Sequence, residues 1–115
     1  MILPDPIMPH VVDLGRFQSG DARVFAGRTR GANVRAKARL DELEADGDVI
    51  QVLVPEGTFS VNSSFFLGMF EQSIRRLGET EFRNRYKFMG ADIDETIEDG
   101  IAEAQKSASP LQQQP

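Results

Sequence analysis

Residues 61–70, VNSSFFLGMF, predict the central helix of this chain, because a turn out of a strand, a helix cap and an apolar helical face meet there. Asn62, Ser63 and Ser64 are residue types whose side-chain oxygens accept hydrogen bonds from the free N–H groups of a first helical turn. Downstream, apolar residues recur at helical spacing as far as Gly78, a residue that commonly ends a helix. The inward face of this amphipathic helix comprises Phe66, Met69, Phe70, Ile74 and Leu77.

The preceding residues predict a strand and the helix before it. Residues 49–54 form an apolar, β-branched run that is closed by the breaker sequence of residues 55–57. Residues 34–45 are strong helix formers, and Asn33 is a suitable residue for starting that helix. A helical crossover between strands favours parallel pairing in a right-handed sense.

The two ends of the chain supply the remaining elements. Residues 10–17 and 22–26 predict two strands joined by a turn at residues 18–21, and therefore a hairpin. Residues 86–89 alternate as a short strand, and residues 92–104 place three isoleucines at intervals of four on one face of a helix. The predicted fold class is therefore α/β, with a small mixed β-sheet flanked by helices.

The composition fits one compact domain of modest size. The chain has 115 residues, of which 40% are hydrophobic and 27% are charged. We expect an extended, proline-containing lead-in over residues 1–9, a single domain over residues 10–105 and a disordered tail over residues 106–115. No apolar run is long enough to span a membrane, and the start does not resemble a secretory signal, so we expect a cytoplasmic protein without membrane association.

The residue types present weigh against several classes of enzyme. The chain has no cysteine and one histidine, His10, so it offers no thiolate metal site and one imidazole base. The acidic residues near the C-terminus show no calcium-loop spacing, and we interpret them as the solvated face of a helix. These observations predict a protein that is not an enzyme and that needs no metal or cofactor.

The acidic excess is confined to the C-terminal quarter. Residues 1–90 hold 12 basic and 12 acidic side chains, whereas residues 91–115 hold 1 basic and 6 acidic ones, which together give the net charge of −5. A domain that binds nucleic acid generally carries a basic excess. The charge distribution therefore makes nucleic acid a less favoured partner than protein.

Several segments, taken together, resemble the STAS-like family of bacterial domains. They lie between residues 27 and 90 and include the arginine-bearing entry before the first helix, the strand at residues 49–54 and the start of the central helix. The family is named for its similarity to the STAS fold of sulfate transporters and anti-sigma-factor antagonists. The resemblance implies a small mixed sheet flanked by helices, and a regulatory rather than an enzymatic role.

The same resemblance implies a candidate modification site. In anti-sigma-factor antagonists, the loop before the corresponding helix carries a hydroxyl residue that a partner kinase phosphorylates. Ser64 falls on that position and Ser63 precedes it, whereas Asn62 and Phe65 differ from the acid and the glycine of the family motif. A phosphate at a helix N-terminus is stabilised by the helix dipole, while its charge disrupts an apolar partner surface. The other interpretation of the two serines is that they cap the helix.

Two hypotheses for function follow. The first is a regulatory module that binds another protein through residues 58–70, and the resemblance implies a histidine-kinase-like ATPase in a partner-switching arrangement as that protein. Its partner-binding candidates are Thr58, Phe59, Asn62, Ser63, Ser64 and Phe65. The rings of Phe59 and Phe65 either pack in the core, which is the favoured interpretation, or form an exposed aromatic pair that would make a partner-binding patch.

The second hypothesis is binding of a phosphate ligand or nucleic acid. Arg28, Arg30 and Arg35 stand near glycines before a helix and could hold an anion. A second basic group lies between Arg75 and Lys87. The alternative interpretation is that both basic groups form solvated helix faces. The first group would then pair with Asp41, Glu42 and the acidic C-terminal helix.

Overall fold

The computed structural model describes residues 10–17, 24–58 and 60–108. The predicted lead-in, the turn at residues 18–21, Phe59 and the last seven residues lie outside the described part of the chain. Within it, the protein has an α/β fold with four α-helices and two parallel sheets. None of the helices in these ranges is both long and apolar enough to cross a bilayer.

The larger sheet contains three parallel strands in the order β1, β3, β5. These strands are His10–Asp13 (β1), Ile50–Val54 (β3) and Tyr86–Gly90 (β5). The register places Val12 beside Val52, and Val52 beside Phe88. The predictions of strands at residues 49–54 and 86–89 are confirmed, with boundaries that differ by one residue.

The predicted N-terminal hairpin is wrong. Val24–Phe25 (β2) pairs in parallel with Ser60–Val61 (β4) in a separate two-stranded sheet, and β1 pairs with β3. The first strand is also shorter than predicted, because Leu14–Phe17 forms a 3₁₀ turn after it. All strand pairs in the described residues are parallel, so the sheet is not mixed there.

The first predicted helix is two helices, and it begins earlier than Asn33. Arg28–Ala38 (α1) starts directly after Gly27, and Leu40–Ala45 (α2) follows. Arg39 separates them with φ 60° and ψ 45°, a left-handed conformation that interrupts a right-handed helix. Arg39 therefore ends α1 and separates it from α2.

The central helix and the C-terminal helix follow the predicted pattern. Ser63–Arg85 (α3) is interrupted at Gly78, where φ is 83° and ψ is 163°. The helix Asp94–Ala108 (α4) buries Ile97 and Ile101, and Ile93, directly before the helix, is buried too. Because α4 continues through Ala108, the predicted disordered tail cannot begin at residue 106.

The core lies between the larger sheet and α3. Phe70 contacts the rings of Tyr86, Phe82 and Phe88 at centroid distances of 5.2–5.6 Å. Phe66 packs against Phe70 at 5.0 Å. Four of the five predicted inward residues of α3 are buried and the fifth, Leu77, is half-buried. The face of α3 that the apolar spacing identified is therefore the face that builds the core.

Candidate functional site

The start of α3 is an exposed, firmly positioned helix N-terminus. Asn62 has extended backbone angles, and its Oδ1 accepts a hydrogen bond from the backbone N–H of Ser64 at 2.7 Å. The helix ladder begins with the N–H of Phe66 donating to the Asn62 carbonyl at 3.0 Å. Asn62 is therefore the N-cap of this helix.

Capping by Asn62 leaves both serine hydroxyl groups outside the cap. The side chains of Ser63 and Ser64 are exposed, and the oxygen that accepts from the first turn is the amide oxygen of Asn62. The interpretation of the serines as N-caps is thus wrong for their side chains. Their hydroxyl groups lie at the positive end of α3, where a phosphate would be favoured electrostatically.

Two hydrogen bonds hold this helix start in place. The backbone N–H of Asn62 donates to the Phe25 carbonyl at 2.7 Å, which continues the pairing of β4 with β2. On the other side, the Thr96 hydroxyl donates to the Val61 carbonyl at 2.9 Å and so connects α4 to the same turn. The exposed serines therefore project from a fixed scaffold rather than from an isolated loop.

The interpretation of Phe65 as a core residue is confirmed, and an exposed aromatic pair that includes it is ruled out. Phe65 is 1% exposed, and its ring lies 5.3 Å from the ring of Phe25. The side chain anchors the helix start to β2, because residue 65 points toward α1 and the small sheet instead of solvent. Thr58 is half-buried in the turn after β3, where its N–H donates to the Pro55 carbonyl at 3.1 Å. Phe59 lies outside the described residues.

An acidic cavity adjoins the helix start. It has a volume of about 480 Å³, and β4 and the beginning of α4 form its walls. The lining residues are Ser60, Val61, Asp92, Ile93, Asp94, Glu95 and Thr96. Three carboxyl groups therefore line the cavity next to the candidate partner-binding surface. In the described part of the chain, no cluster of His, Cys, Asp or Glu has the arrangement of a metal site.

The arginines of the first basic group do not converge on one anion site. Arg28 pairs with Glu71 at 2.6 Å across the α1–α3 contact, and Arg30 is exposed. Arg35 points in the opposite sense, into the protein, and is 7% exposed. The prediction that Arg35 binds an external anion is wrong, because protein groups already occupy its guanidinium.

Arg35 belongs to a buried polar network that the sequence did not reveal. Its guanidinium donates to the Met69 carbonyl at 2.6 Å, to Ser73 Oγ at 2.8 Å and to Asp41 at 2.5 Å. The hydrogen bond from Arg35 holds the pKa of Asp41 below its usual value. These contacts join α1 to α2 and α3.

Glu44 is the centre of the same network. Ser73 and the Tyr86 hydroxyl both donate to its carboxylate, and Arg76 donates to Oε1 at 2.6 Å. Burial alone would raise the pKa of Glu44, but these hydrogen bonds and the Arg35 charge outweigh burial and lower it. Burial and the bond to Glu44 raise the pKa of Tyr86. Two carboxylates balance two guanidinium groups, so the network joins elements without leaving an unpaired charge.

The second basic group is also largely engaged. Arg83 pairs with Glu79 at 3.0 Å and with Glu98 of α4 at 3.1 Å. Arg85 donates to the backbone carbonyls of Asp48 and Glu44, and Arg76 belongs to the network above. Most of these side chains thus stabilise the fold, which favours the protein-binding hypothesis over the phosphate or nucleic-acid one.

The start of α3 is therefore the candidate functional site, defined by exposed Asn62, Ser63 and Ser64 beside the acidic cavity. Sequence reasoning found these three residues from their capping types and missed the carboxylates of α4 beside them. Compared with models of protein families, with curated proteins and with solved structures, the chain matches none.

Proposed function

We propose that this protein is a non-enzymatic regulatory module of STAS-like type that binds another protein through the start of α3. The proposed partner is a histidine-kinase-like ATPase in a partner-switching arrangement. Phosphorylation of Ser64, or of its neighbour Ser63, would control binding. The observation that carries this proposal is the cap by Asn62, which leaves two exposed hydroxyl groups at a helix N-terminus with no capping role.

The surroundings of the site suggest the charge of the partner surface. The carboxyl groups of Asp92, Asp94 and Glu95 line the adjoining cavity, so a partner with basic side chains would be complementary to it. A phosphate on either serine would add about two negative charges at the edge of this surface. Its effect on binding is disruptive where the serine contacts an apolar part of the partner, since the charge must then be desolvated.

The test is affinity capture with the tagged wild type and with Ser64→Glu and Ser63→Glu. Thr80→Glu is the matched control, because Thr80 is an exposed hydroxyl residue of α3 beyond the interruption at Gly78. A protein retained by the wild type and by Thr80→Glu, but lost with Ser64→Glu or Ser63→Glu, would support the proposal. Equal retention by all four proteins would contradict control at these serines.

Capture at low and at moderate salt, with identification of the retained molecule as protein or nucleic acid, separates this proposal from the alternative. Binding of nucleic acid through arginines and Lys87 weakens steeply with ionic strength, because each phosphate contact releases counterions. Retention of nucleic acid at low salt, without any retained protein, would replace the proposed function with the phosphate-binding one. Substituting Asp94→Asn should weaken capture of a basic partner and leave capture of nucleic acid unchanged or improved.

A further inference from the structure

The larger sheet has one face that the described helices do not cover. Strand alternation directs Val52 toward α3 and the core, and directs Gln51 and Leu53 to the opposite face. The register extends this second face across all three strands. Val11 and Lys87 flank Gln51 in one row, and Asp13 and Met89 flank Leu53 in the next.

This open face concentrates the exposed apolar side chains of the described residues. Val11 is 52% exposed and Met89 is 46% exposed. Val49 is 38% exposed. It lies two residues before Gln51 and therefore at the end of the same face. Three of the four exposed large hydrophobic residues in the described part of the chain therefore belong to this one surface. Parallel sheets are generally covered on both faces, and clustered apolar exposure marks an interaction surface.

The charges on the open face are arranged for contact with a copy of itself. Asp13 on β1 and Lys87 on β5 occupy diagonally opposite corners of the two rows. Their strands are separated by two strand spacings, each of about 4.8 Å. Consider a second identical face packed against the first and related to it by a twofold axis that lies in the contact plane. If that axis is oblique to the strands, each Asp13 lies opposite Lys87 of the other copy. The strands then cross at a large angle, as in orthogonal sheet packing. Val11 and Met89 each lie near their own counterparts.

We propose that a second copy of this chain covers the open face, forming a twofold dimer with two Asp13–Lys87 ion pairs around a centre of Val11, Leu53 and Met89. The self-complementary charge pattern supports a second copy as the occupant, since an isologous interface must place each group against its own complement. The start of α3 remains free, because α3 packs on the opposite side of the sheet. This inference is therefore independent of the proposed function.

The first test is the molar mass of the purified full chain by sedimentation equilibrium over a hundredfold range of concentration. The wild type should approach twice the monomer mass, and Met89→Glu and Val11→Glu should remain monomeric. Both residues are exposed, so the substitutions should leave the fold intact. Val24→Glu is the matched control, since Val24 is 44% exposed but lies in the other sheet. A wild type that stays monomeric throughout, or a Val24→Glu variant as monomeric as Met89→Glu, would overturn the proposal.

A charge exchange tests the specific pairing. Asp13→Lys and Lys87→Asp should each be monomeric alone, because each places like charges opposite one another twice. An equimolar mixture should recover the dimer, since both pairs become attractive. Monomers in the mixture would overturn the pairing. Asp13 also accepts from the Gly15 N–H at 2.9 Å, so Asp13→Asn, which retains an acceptor, is measured in parallel and should weaken the dimer without loss of circular dichroism signal.

Discussion

Gly31 in α1 and Gly68 in α3 bring the backbones of the two helices into direct contact. A Cβ atom on Gly31 would lie 2.1 Å from the Phe65 carbonyl oxygen, and one on Gly68 would lie 2.1 Å from the Arg28 carbonyl oxygen. The pair fixes the first turn of α1 against the first turns of α3. It therefore also fixes the candidate site, whose serines immediately precede Phe65 in the chain.

Gly31→Ala and Gly68→Ala should each destabilise the protein by about 3 kcal/mol, because a Cβ atom in either place overlaps backbone that cannot move without separating the helices. Helix propensity alone predicts the opposite sign, a gain of about 1 kcal/mol. Urea denaturation measures the free energy of unfolding and so distinguishes the loss expected from overlap from the gain expected from helix propensity. Gln72→Ala, an exposed change in α3, serves as the control and should be nearly neutral. A stabilised Gly31→Ala protein would show that the helices do not approach this closely.

Elements with strong local signals could be predicted from the sequence. The β-branched run became β3, the apolar spacing identified the buried face of α3, and Gly78 interrupts that helix with a positive φ. The start of α3 was also found, because capping residue types act on the next few N–H groups. Each of these features depends on residues close together in the chain.

Features that depend on distant contacts were missed or wrong. The breaks at residues 18–21 suggested a hairpin, yet β1 pairs with β3, whose sequence lies forty residues away. Gly31 was one of the glycines placed before the first helix in a possible anion site, although it lies within α1 and its small size allows the contact with α3. Glu44 and Arg35 are charged residue types that usually lie on a solvated helix face. They are buried because Tyr86 hydrogen-bonds to Glu44 and Ser73 hydrogen-bonds to Arg35. The sequence pattern near a residue does not indicate contacts with partners that are distant along the chain.

Glu44→Gln should reduce the free energy of unfolding by about 2 kcal/mol at neutral pH, because Arg76 and Arg35 lose a buried charged partner. The substitution should also make the free energy of unfolding fall less steeply as the pH is lowered into the acidic range. The folded protein holds the pKa of Glu44 below its ordinary value, so the contribution of Glu44 to stability is present above the unfolded pKa and disappears as pH falls through the folded value.

Urea denaturation at pH 7, 5, 4 and 3 measures this difference. The wild type should lose stability below about pH 5 more steeply than the Glu44→Gln variant. Glu56→Gln, which alters an exposed turn residue, should follow the wild-type curve. Parallel curves for wild type and Glu44→Gln would mean that Glu44 has no lowered pKa.

Tyr86 provides a second, alkaline test of the same network. The raised pKa of its hydroxyl, caused by burial and the bond to Glu44, stabilises the fold below the unfolded pKa of about 10 and is lost as pH rises further. Tyr86 is the one tyrosine of the chain, so ultraviolet absorbance reports its ionisation directly. We expect the folded protein to titrate well above pH 10 and together with unfolding, whereas the urea-unfolded chain titrates near 10. A folded protein that titrates near 10 would contradict burial of this hydroxyl.

Asn62→Ala should cost about 1 kcal/mol of stability, because the first turn of α3 loses the acceptor for the Ser64 N–H. Ser63→Ala and Ser64→Ala should each change stability by less than about 0.5 kcal/mol, since their side chains are exposed and outside the cap. Thermal and urea unfolding of the three variants make this comparison directly. A larger loss for either serine variant than for Asn62→Ala would assign the cap to that serine. It would then remove the structural reason for regarding its hydroxyl as free for modification.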